Sequence, residues 1–131
     1  MDTACDYHAT SPAIKSLDEI LSEIILCVGI PGSIKGYTFL KVAVKETLKT
    51  PQMIRSITKQ LYPTIAEIFK TSSSKVERAI RHAIDVGYQK GKIQNINSYF
   101  DVKIYDPLEK PSNGEFIALI VDKLQILGYA G

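Results

Sequence analysis

Lys75, Glu77, Arg78, Arg81 and His82 fall within eight residues of one stretch, SSSKVERAIRHAIDVGYQKGK at 72–92. Arginine can donate two parallel hydrogen bonds to guanine O6 and N7, and glutamate can accept from cytosine N4. Side chains of this kind on the first two turns of a helix reach base edges in a major groove. At about 100° per residue, Val76, Ile80, Ala83, Ile84 and Gly87 share an arc of roughly a quarter turn. Arg78 lies almost opposite, with Lys75 and His82 on one side and Glu77 and Arg81 on the other. The same pattern also fits a solvated helix face laced by i,i+4 pairs such as Glu77 with Arg81. Just upstream, Lys70, Thr71, Ser72 and Ser73 could hold phosphates through charge, hydroxyls and the open N–H groups of a helix start. Turn composition and capping would account for the serines equally well.

The elements that must position these residues can be traced from periodicity. Ser16 and Glu19 have capping-box spacing, and Leu17, Ile20, Leu21, Ile24, Ile25 and Val28 then recur at helical intervals up to Gly29 and Pro31. A second helix follows Gly36, with Tyr37, Leu40, Val44 and Leu48 on one face, and ends near Thr50. A third, MIRSITKQL, is expected to stop at Tyr62, because proline disfavours helical geometry in the residue before it. Pro63 then opens the short helix PTIAEIFK. Ser74, with Glu77 three residues later, suggests the cap of the charged helix, which runs over about 74–90. Two helices joined by a tight polar turn, at about 63–90, outline a helix-turn-helix. INSYF and VKIY, further on, fit either short helix or strand. A last helix, from about Glu115 to Leu127, offers Phe116, Leu119, Ile120, Leu124 and Leu127 to a core, capped by Ser112 or Asn113.

Bulk properties narrow the function. The chain has 131 residues, 45% of them hydrophobic and 23% charged, which suits one globular domain. Residues 1–15 read as a leader or linker remnant, and 16–131 as the domain. No apolar run is long enough to span a bilayer and the first residues do not read as a secretory signal, so a cytoplasmic location is expected. The net charge is only +2, but residues 51–92 hold eight basic residues against three acidic ones, leaving a deficit of three elsewhere. A basic centre with acidic flanks points to a polyanion at one surface. Cys5 and Cys27 show neither metal spacing nor a redox pair, and Cys27 reads as a small buried apolar side chain. The only histidines are His8 and His82. With no phosphate loop and no zinc motif, the reading is of a non-enzyme that needs no cofactor or metal.

Four segments, GIPGSIKGYTFL at 29–40, SITKQLYPTIA at 56–66, VERAIRHAI at 76–84 and EFIALIVDKL at 115–124, carry a resemblance. The chain resembles, over about 16–127, the C-terminal effector domain family of the sporulation stage 0 response regulator A. The resemblance implies an all-α bundle of about six helices with a helix-turn-helix, acting in transcription regulation as activator or repressor. It implies double-stranded DNA as partner, read as short boxes, and a head-to-tail homodimer on tandem boxes. By position, the family's base-reading residues fall on Lys75, Glu77 and Arg78, with Ser74, Arg81 and His82 among the backbone or supporting contacts. Lysine at 75 departs from the arginine usual there and lacks its rigid fork. The family also implies a contact of the RNA polymerase sigma subunit with the segment after the recognition helix, here including Gly91, Asn95, Ser98, Phe100 and Ile104. Such family members are activated through a receiver domain, so this chain is expected to be either an effector fragment or a free-standing homologue. The competing reading is a protein-interaction module that presents the same basic helix to an acidic partner.

Overall fold

A computed structural model describes residues 15–100 and 109–130. Within them lie six α-helices: α1 (Leu17–Cys27), α2 (Lys35–Lys49), α3 (Tyr62–Phe69), α4 (Ser73–Gln89), α5 (Asn95–Phe100) and α6 (Asn113–Ile126). No strand occurs among the described residues, which gives the expected all-α class. The leader up to residue 14 and the segment 101–108, with Ile104 and VKIY, lie outside the described residues.

α1 starts where expected. The Ser16 hydroxyl accepts from the Glu19 N–H at 3.1 Å and the Glu19 carboxylate accepts from the Ser16 N–H at 3.0 Å. The same reciprocal box opens α6, between Ser112 and Glu115. Each box satisfies two N–H groups that the helix cannot bond internally.

α2 is the central helix, packed against α4, α6, α1 and α3. Phe39, Leu40, Ala43, Val44 and Leu48 are buried on it, while Tyr37 is only half-buried. Its one buried polar side chain, Thr47, donates to the Ala43 carbonyl at 2.8 Å. Of the glycines in the described residues, Gly36 is seated most tightly. A Cβ built on it would lie 2.3 Å from the Ala79 carbonyl oxygen and 2.5 Å from Ala83 Cβ, both on α4.

Several boundaries differ from the sequence reading. The third helix is a 3-10 turn (Pro51–Arg55) followed by a π turn (Ile57–Leu61) that runs straight into α3. Tyr62 does not end it, because its backbone is helical and its N–H bonds the Ile57 carbonyl, five residues back. An α-helix would drive the Pro63 ring into the carbonyl four residues back, and the wider π turn relieves that clash. INSYF resolves as helix α5, which packs on α1: Tyr99 is buried and its hydroxyl lies 3.4 Å from the Glu23 carboxylate. Leu127 is more than a third exposed, since α6 ends at Ile126 and the core is filled by Phe116, Ile117, Ile120, Val121 and Leu124. Cys27 is buried in the core as expected. The other cysteine, Cys5, lies outside the described residues.

Replacing Gly36 by alanine would favour the helix intrinsically by about 0.5–1 kcal/mol. The clash with the Ala79 backbone is the larger effect, since overpacking costs about 1–3 kcal/mol or more where backbone must move. Gly36→Ala is therefore expected to lower the urea midpoint, whereas helix propensity alone would raise it.

Candidate nucleic-acid interface

Two helices and the turn between them build the site. α3 ends in a Schellman motif: the Thr71 N–H bonds the Ala66 carbonyl at 2.9 Å and the Lys70 N–H bonds that of Glu67 at 3.3 Å. This requires Lys70 to adopt the left-handed conformation, with φ 54° and ψ 50°, which is uncommon outside glycine. The reversal carries the chain directly into α4. There Ser72, and not Ser74, is the N-cap: its hydroxyl accepts from the Lys75 N–H at 3.2 Å. Ser73 and Ser74 are inside the first turn, and Glu77 is free of capping duty.

α4 buries Val76, Ile80, Ala83, Ile84 and Gly87, the five residues the 100° arc assigns to its inner face. Lys75, Arg78, Arg81 and His82 are exposed together on the outer side. Among the described residues neither Lys75 nor Arg78 has an ion-pair partner. Arg81 does, because its guanidinium lies 3.1 Å from the Glu77 carboxylate one turn earlier. Lys70, Ser72 and Ser74 are also exposed, and Thr71 and Ser73 half-buried, so the ten positions from 70 to 82 singled out above lie along one turn and one helix face.

The segment after α4 divides. Gly91 is exposed with φ +69°, in open space, and Ser98 is exposed. Asn95 is tied to α1 through a 2.9 Å hydrogen bond from its amide to the Cys27 carbonyl. Phe100 is half-buried, edge-on to Tyr99 with ring centroids 5.2 Å apart.

Two flanks of α4 hold residues that spacing alone did not reveal. On the Glu77 side, the Asn113 amide donates to the Tyr62 hydroxyl at 3.0 Å and to the Glu77 carbonyl at 3.2 Å. This joins the start of α6 to α3 and α4. Desolvation raises the Tyr62 hydroxyl pKa, and the hydrogen bond from Asn113 opposes part of that rise. On the Lys75 side, Lys35 and Thr38 of α2 face Thr71 and Lys75. Both arrangements bring together residues more than thirty positions apart, so no local pattern announces them.

The fold defines a class: a compact all-α domain with a helix-turn-helix. The family described as "Sporulation initiation factor Spo0A C terminal" matches residues 21–124. The chain belongs to that family, whose province is transcription regulation in sporulation. No helix among the described residues is long and apolar enough to cross a membrane.

Two outcomes test this geometry. Ser72→Ala should lower stability by about 1 kcal/mol, the usual worth of an N-cap, while Ser74→Ala should stay within about 0.5 kcal/mol of wild type; thermal melts distinguish them. Tyr62→Phe removes a hydrogen bond worth about 0.5–1.5 kcal/mol at neutral pH. Because the folded Tyr62 pKa is raised, its contribution is complete below about pH 10 and fades as pH rises through the folded value. The stability gap between wild type and Tyr62→Phe should therefore narrow in alkaline denaturation curves.

Proposed function

We propose that the domain is a sequence-specific transcription regulator that reads short DNA boxes with α4 in the major groove. The observation that carries this reading is the outer face of α4, where Lys75 and Arg78 stand exposed without ion-pair partners directly after a tight turn. Lys75, Glu77 and Arg78 contact base edges. Arg78 brings the fork suited to guanine, Lys75 donates to a base acceptor, and Glu77 accepts from cytosine. Lys70, Thr71, Ser72, Ser73, Ser74, Arg81 and His82 serve the backbone or support the readers. Arg81 steadies Glu77 through their ion pair, so the pair is offered to the groove as a unit.

Two finer elements belong to the same proposal. The segment from Gly91 through Asn95, Ser98 and Phe100 touches the sigma subunit of RNA polymerase, with exposed Gly91 and Ser98 as its accessible part. On tandem boxes two copies associate head to tail. Exposed Ile126 and Leu127, an apolar pair at the end of α6, support such a self-contact.

Fluorescence anisotropy with a tandem-box duplex and a scrambled duplex, at two salt concentrations, tests the reading. The boxes should bind tighter by about 10³ or more, the lower end of the range for specific sites. Arg78→Ala should cost about 1–3 kcal/mol on the boxes and flatten the preference, whereas Lys70→Ala should weaken both duplexes alike. Equal loss on both duplexes for Arg78→Ala would remove its base-reading role. No duplex binding even at low salt would favour a protein-interaction module with an acidic partner.

A further inference from the structure

α2 carries four lysines, and three of them have acidic partners. Lys41 and Lys45 lie 2.9 and 2.7 Å from the Asp18 carboxylate, and Lys49 lies 3.4 Å from Glu46. Lys35, the first residue of the helix, has no ion-pair partner among the described residues and is exposed. It faces an open hollow of about 300 Å³ lined by Lys35, Thr38, Phe39, Phe69, Thr71 and Lys75. Phe39 and Phe69 meet edge to face across it, with centroids 5.1 Å apart, and join α2 to the end of α3. Two ammonium groups, two hydroxyls and no carboxylate line this space. That donor set suits an anion with several oxygens, which a phosphate is.

The hollow lies on one flank of α4. Gly36, next to Lys35, is pressed against Ala79 and Ala83, so the start of α2 is fixed to the same side of the helix as Lys75. A helix with its side chains is about 10–12 Å across and the major groove is about 12 Å wide. Such a helix fills the groove, and an element held against its flank meets the sugar–phosphate wall.

We infer that Lys35, with Thr38, is a further DNA contact: together with Thr71 it clamps a backbone phosphate on the α2 flank of the recognition helix, beside the base-reading Lys75. This rests on the reading of α4 as a groove-binding helix. Lys35 fixes the depth and register at which α4 sits and reads no base, so its contribution is the same for every sequence.

The test is Lys35→Gln against wild type in anisotropy titrations with tandem-box and scrambled duplexes over a series of salt concentrations. Lys49→Gln, at the opposite end of α2, is the control, and circular dichroism checks the fold. Removing one phosphate contact should weaken both duplexes by a similar factor, roughly 3–10-fold at low salt, and make the slope of log K against log salt shallower by about 0.9. Lys35→Arg should retain wild-type behaviour, and so should Lys49→Gln. Wild-type affinity and slope in Lys35→Gln would overturn the inference while leaving the DNA-binding reading intact, as would a loss confined to the boxed duplex. Wild-type protein that binds neither duplex would overturn the DNA-binding reading itself.

Discussion

The contact between Gly36 and the Ala79–Ala83 surface of α4 governs the geometry of the exposed face. With no Cβ at position 36, the first turn of α2 rests directly on α4 backbone, close enough that a methyl group would meet the Ala79 carbonyl at 2.3 Å. A second close approach holds the other end of α4, where a Cβ on Gly87 would lie 2.4 Å from the Val28 carbonyl. Backbone-to-backbone seating leaves little room for rotation, because interiors are packed too densely for elements to slide continuously. α4 is therefore pinned at two points along its length. The direction in which Lys75, Glu77 and Arg78 project follows from those two points more than from any interaction of their own.

Electrostatic pairing follows the same plan. Five cations away from α4's outer face are paired: Lys15 with Glu23, Lys41 and Lys45 with Asp18, Lys49 with Glu46, and Lys110 with Asp85. Hydrogen bonds from Lys45 and Lys41 hold the Asp18 carboxyl pKa down at about 2, so Asp18 stays ionised at any physiological pH. Pairs this exposed contribute little stability. Their larger effect is on the field, since they cancel positive charge around α1 and the far end of α2 while leaving Lys35, Lys70, Lys75 and Arg78 uncompensated. A net charge of only +2 thus coexists with uncompensated cations along the turn, the outer face of α4 and the start of α2.

Much of this was legible in the sequence because its signals are local. The inner face of α4, the capping boxes at Ser16 and Ser112, and the helix-turn-helix outline all depend on residues within one or two turns of each other. Errors arose where local signals were degenerate. Ser72, Ser73 and Ser74 are all competent caps, and the choice among them was made upstream, by the left-handed turn at Lys70 that sets where α4 can begin. Pro63 signals a break in an α-helix, yet the chain has a second solution in the π turn, which single-residue propensities do not distinguish. The seat of Tyr99 on α1 and the bridge from Asn113 to Tyr62 and Glu77 are tertiary, and no spacing encodes them.

Charge meets the same limit from the other side. Counting residues located the positive surplus between 51 and 92, but two of those cations, Arg81 and Lys90, are engaged with Glu77 and with the Gly29 carbonyl. Lys35, outside that window, is not engaged. A sequence count treats all lysines alike, whereas the field at a surface depends on which of them the fold has paired. Acidic residues of this chain act mainly through that choice: Asp18 and Glu46 neutralise the rest of α2 and leave its first residue exposed beside Lys75. The partition of charge and the packing at Gly36 are in this sense one design, because the glycine that seats α2 on α4 also brings the unpaired Lys35 to the edge of the helix it supports.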